Sequence, residues 1–110
     1  MRALLIAWVV SVGSIAAAEP AQTPPTTFAR DVAPVLYAHC VECHRPNGSA
    51  PFSLVTYKEA RQRARLIAVV VEKGVMPPWQ PAREGARLKG ERHLDDRERQ
   101  ILRQWVVDGT

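Results

Sequence analysis

The residues best suited to chemistry lie in one short run, Cys40-Val41-Glu42-Cys43-His44. Two thiols three positions apart, followed at once by an imidazole, form the C-x-x-C-H attachment pattern of c-type haem. The spacing has a physical basis. Each thiol adds across a vinyl group of the porphyrin, a three-residue step sets both sulfurs along one edge, and the next imidazole reaches the iron. Three other uses of paired cysteines compete with this one. A thioredoxin-type redox pair needs a βαβ setting, which the pattern around the motif lacks. A zinc site needs four ligands in two clusters, and His39 and His93 have no paired spacing. A plain disulfide would close a short, strained loop.

A haem iron held by one histidine keeps a second axial side. Met76, in Met76-Pro77-Pro78-Trp79, is the candidate for it. A thioether is a soft, neutral ligand that favours the reduced iron. Two prolines fix two φ angles and hold the loop that carries the sulfur. The competing role for Met76 is that of a gap-filling core residue. His93 is the rival sixth ligand, but its charged surroundings make an exposed surface histidine the expectation. His39 abuts Cys40 and is expected to face away from the haem edge.

Composition and order frame these residues. The chain has 110 residues, 15 Lys+Arg against 11 Asp+Glu, and two cysteines. That length argues for one domain, and the two cysteines rule out a multi-bridge scaffold. The net charge of +4 is mild, and no dense basic stripe with interleaved aromatics argues for nucleic acid. Arg2, the apolar run from Ala3, and Ala16-Ala17-Ala18 have the order of a secretory signal peptide over residues 1–18. The run is shorter than the roughly 20 residues a bilayer span needs, so no stable membrane span is expected after cleavage. Export, with a periplasmic location, is the consequence. Residues 19–27, with Pro20, Pro24 and Pro25, predict an extended tether, and residues 28–110 form the domain.

The elements that must position the motif are helical. Asp31 is the expected N-cap of a first helix, in which Val32, Val35 and Leu36 lead towards Cys40. Thr56 and Glu59 form a capping box for a second. Ala60, Ala64, Ile67, Ala68 and Val71 then recur at helical spacing, with Lys73 and Gly74 at the stop. A third begins at Asp95, with Glu98 three positions on, buries Ile101, Leu102, Trp105 and Val106, and ends at Gly109. No period-2 alternation predicts a strand. The stretch from Val75 to His93 is a long loop.

On these residues the chain resembles the class I c-type cytochrome domain. Cys40 to His44, Met76 to Trp79, and the helix from Leu94 to Gly109 carry the resemblance, which covers Phe28 to Gly109. It implies an all-α fold of about three helices and long loops around one covalent haem c. Cys40, Cys43, His44, Met76, Pro51 and Trp79 would contact the cofactor, and His44 and Met76 would ligate the iron. It further implies that the first and last helices cross near the haem, with Leu36 and Trp105 candidates for that contact. Trp105 also fits as ordinary core. Pro51 resembles the loop proline whose carbonyl accepts the Nδ1–H of the proximal histidine, and it equally suits a simple turn. The 32 residues from His44 to Met76 imply compact loops and an exposed haem edge.

The function expected is one-electron transfer between redox protein partners, without enzymatic turnover. Lys58, Arg61, Arg63 and Arg65 offer either a dock for an acidic partner or a solvated face. Two rival functions are a haem-bearing accessory module of a larger oxidoreductase, and a haem catalyst or gas sensor whose sixth ligand can be displaced.

Overall fold

The structure is a computed structural model, and it describes residues 22–78, 86, 89, 90 and 92–110. The expected signal peptide and Trp79 lie outside the described residues. The protein is all-α: no strand forms among the described residues. A π-helical turn, Phe28–Val32, runs into α1, Ala33–His39. Three more helices follow: α2, Tyr57–Gln62; α3, Ala64–Glu72; and α4, Asp96–Val107. None of the helices described is long and apolar enough to cross a membrane.

The first helical segment begins earlier than its sequence suggests. Thr27, not Asp31, is the N-cap. The carbonyl of Thr27 is shared by the N–H groups of Asp31 (3.0 Å) and Val32 (3.3 Å), so the first turn is one residue wider than an α-turn. Asp31 caps from within, its Oδ2 accepting from the Thr27 N–H at 2.7 Å. A wide turn moves the reaching carboxylate from the third helical position to the fourth. Pro34 falls near the start of α1, where its missing N–H leaves little unsatisfied.

The second predicted helix is two. Its capping box is complete: Thr56 Oγ1 accepts from the Glu59 N–H, and Glu59 Oε2 accepts from the Thr56 N–H at 2.9 Å. Arg63 then leaves the helical conformation (φ −117°, ψ 7°) and separates α2 from α3. α3 ends in a Schellman motif. The Val75 N–H bonds the Val70 carbonyl at 2.8 Å, the Gly74 N–H bonds that of Val71 at 3.1 Å, and Gly74 takes φ +68°. The Asp95–Glu98 box opens α4, and Gly109 (φ +100°) ends it as expected.

One core joins these pieces. Val32, Val35, Leu36, Leu54, Ala60, Ala64, Ile67, Val71, Leu94, Leu102 and Trp105 form a single buried cluster. Burying each larger aliphatic among them contributes about 1.5–3 kcal/mol before ordering costs. α3 packs on α4, and the π turn packs on both α1 and α4. The first and last helical segments meet through Phe28, whose ring lies 5.9 Å from that of Trp105. Leu36 and Trp105 are both buried in this cluster. Residues 22–25 are exposed, but the end of the expected tether is pinned: the Thr26 N–H donates to Asp108 Oδ2 at 2.6 Å.

Candidate functional site

The C-x-x-C-H run winds on from α1. The N–H groups of Cys40 and Val41 bond the Leu36 carbonyl, and the His44 N–H bonds the Cys40 carbonyl at 2.9 Å. The motif is thus an extra turn at the end of a helix, which sets the sulfurs and the imidazole around one short axis. A tight turn follows. Pro46 takes its second position, left-handed Asn47 (φ 61°) its third, and the Gly48 N–H closes it on the Arg45 carbonyl at 2.9 Å. The loop then folds back: the Ala50 N–H bonds the Cys43 carbonyl, and the Leu54 N–H bonds that of His44.

Between this loop, the inner side of α3 and the Met76–Pro78 segment lies a cleft of about 430 Å³. Its size suits a cofactor or other small molecule. Cys40, Cys43, His44, Pro51 and Phe52 line one side. Leu66, Ile67, Val70 and Val71 of α3 line another, and Met76, Pro77 and Pro78 complete the wall. The lining is overwhelmingly apolar, with Arg63 and Arg92 its cations. Five of the six cofactor contacts expected from the sequence therefore share one cavity: Cys40, Cys43, His44, Pro51 and Met76. The sixth, Trp79, lies outside the described residues.

The imidazole of His44 is oriented by backbone. His44 Nδ1 lies 3.1 Å from the carbonyl oxygen of Phe52. A carbonyl can only accept, so Nδ1 carries the proton and the lone pair belongs to Nε2, the atom a metal would use. This corrects the expectation for Pro51: the carbonyl is that of the next residue, and Pro51 lines the cleft. The His44 and Phe52 rings also lie 4.6 Å apart, tilted by 39°.

The two thiols differ. Burial, and secondarily the neighbouring Cys43, push the Cys40 thiol up to about 11. Cys43 is held below the ordinary thiol value by hydrogen bonds from Ser49 and Arg92. The Arg92 guanidinium lies 3.6 Å from the Cys43 sulfur and pairs with Glu42 at 2.9 Å. Sequence reasoning overlooked Arg63, Arg92 and Ser49, because nothing local marks a loop or helix residue as facing this cavity.

His39 borders the cleft, but its Nε2 is packed on a neighbour: it meets Glu98 Oε1 at 2.9 Å, tying the end of α1 to the start of α4. One histidine expectation is corrected. His93 is no exposed surface residue: both ring nitrogens are buried, and neither has a hydrogen-bond partner among the described residues. Nor does it line the cleft. Among the described residues, no three of His, Cys, Asp and Glu gather as a metal-binding group, so the zinc alternative gains no support.

The chemistry of this donor set suits a haem: two thiols and an imidazole with a preset tautomer on one side, a thioether on the facing loop, and apolar walls between. Comparison with known proteins finds no matching family, no matching curated protein and no matching solved structure.

Proposed function

We propose that the chain is an exported, class I-type cytochrome c domain that carries single electrons between redox protein partners. The observation that carries this reading is the shared cavity. The C-x-x-C-H thiols and imidazole line the same apolar cleft as Met76, although Met76 lies 32 positions beyond His44. In this reading Cys40 and Cys43 would hold one haem c through thioethers, and His44 Nε2 and Met76 Sδ would ligate its iron. When bound, that group supplies reversible one-electron chemistry at iron.

The chain's own residues do the rest. The Phe52 carbonyl keeps the proton on His44 Nδ1 and the ring in place. The inner residues of α3 exclude water and keep the local dielectric low. With His44 and Met76 both committed to the metal, no position would be left for a substrate, and the role would be that of a carrier and not an enzyme. The open face of the cleft, where Met76 is 37% exposed, gives a partner close access.

The test compares the wild-type chain, made in a host that exports and attaches haem, with the Cys40→Ser/Cys43→Ser variant. Covalent pigment should survive denaturing electrophoresis in the first and be lost in the second. Pigment in both, or in neither, overturns the assignment. Prompt carbon monoxide binding by the reduced wild type would replace the carrier reading with the catalyst or sensor reading.

A further inference from the structure

Arg63 lies where the sequence predicts an unbroken helix. Its departure from helical geometry divides α2 from α3 and puts its side chain at the cleft. There its guanidinium carbon lies 4.2 Å from the centroid of the Phe52 ring. That ring is the one 4.6 Å from the His44 imidazole, and Phe52 also supplies the carbonyl for His44 Nδ1. Three contacts thus run in series from a cation on the α2–α3 joint to the candidate iron ligand. A guanidinium over an aromatic face is attracted to its negative quadrupole and fixes the ring plane. The backbone of Arg63 stays bonded across the break, its N–H to the Ala60 carbonyl at 3.0 Å and its carbonyl to the Ile67 N–H at 2.8 Å.

We propose that Arg63 is a positioning residue for His44. Laid on Phe52, it locks the ring that flanks the imidazole, and its charge beside the cleft favours the reduced, less positive iron. This rests on the haem reading above. When bound, the group would take one electron from a donor protein and pass it to an acceptor, and Arg63 would take no direct part in that exchange. The Glu59 carboxylate feels the Arg63 charge, but it is already engaged by Thr56 and Ser53. Removing Arg63 therefore removes a net positive contribution at the cleft.

The test uses the full chain with Arg63→Met, Arg63→Lys and Phe52→Leu, and reads three quantities. In Arg63→Met, the Phe52 side-chain couplings measured by NMR should average between rotamers, and nuclear Overhauser contacts from Phe52 to His44 should weaken. The reduction potential of the same variant should fall. Arg63→Lys keeps the charge and should recover the potential, while recovering less of the ring order, because an ammonium lacks the flat stacking face. Phe52→Leu should lower the potential less than Arg63→Met, since the cation remains. An Arg63→Met protein that is merely less stable, with wild-type ring couplings and potential, overturns the proposal. Pigment on a denaturing gel is scored on every sample. A wild type without pigment sinks the haem assignment, while the couplings still decide whether Arg63 holds Phe52.

Discussion

At the scale of single residues, the imidazoles of His44, His39 and His93 meet three different fates. His44 has its proton fixed by a carbonyl, and His39 is engaged by a carboxylate. His93 has neither, although both its nitrogens are sealed from solvent. A buried donor or acceptor left unmatched costs about 1–3 kcal/mol. His93→Leu removes the polar atoms while keeping apolar bulk, so the variant should be as stable as the wild type or more so by up to about that amount. Thermal unfolding followed by circular dichroism checks this. A clear drop in Tm would mean that His93 has a partner in the working protein. Spacing and side-chain chemistry single out the motif cysteines, His44 and Met76 in the sequence, and the structure sets all four on one cleft. The charged neighbours of His93, Lys89 and Arg92, predict exposure, because charge nearby in sequence does not report the burial of a ring.

Among the elements, Gly48 and Gly74 separate structural from site-building roles. A Cβ on Gly48 would run into the Cys43 carbonyl oxygen, so the turn that leaves the motif needs a residue without one. A Cβ on Gly74 meets nothing within 4 Å, and only its left-handed φ of +68° resists substitution. Gly74→Ala should therefore cost about 1 kcal/mol of stability and leave pigment attachment intact. Gly48→Ala should displace the Cys43–His44 backbone and reduce the pigmented fraction on a denaturing gel. Equal pigment in the two variants would contradict the argument. Helix starts at Thr56 and Asp95 and the stops at Gly74 and Gly109 could be read from sequence, since capping is local chemistry. The break at Arg63 could not. Arginine is a good helix former, the apolar positions from Ala60 to Val71 keep their period, and the ring on which Arg63 lies, Phe52, is eleven positions away. The start at Phe28 was hidden for a related reason: Asp31 resembles an N-cap, and the widened turn makes it the reaching partner of Thr27.

For the whole molecule, lowered carboxylates at two helix starts and at the contact of Thr26 with Asp108 make stability depend on acid. Asp31 is held below the ordinary carboxylate value chiefly by its hydrogen bond with Arg30, and then by the Thr27 N–H. Glu59 is lowered by the Thr56 backbone and hydroxyl. Asp108 is lowered by the Thr26 N–H and the Gln104 side chain, and so joins the segment before the π turn to the end of α4. A folded-state pKa below the unfolded one means that the unfolded chain binds more protons in between, so stability rises with pH there. The contribution is fully present above the unfolded carboxylate range of about 4 and is lost as pH falls through each lowered folded value. Tm should thus be insensitive to these groups between about pH 5 and 7 and should decline below about pH 4. Asp108→Asn keeps an acceptor for Thr26 but cannot titrate, so its Tm should be slightly lower at neutral pH and should converge on the wild-type value in acid. Parallel Tm curves from neutral to acid pH would show that the Thr26–Asp108 joint carries no pH-dependent stability.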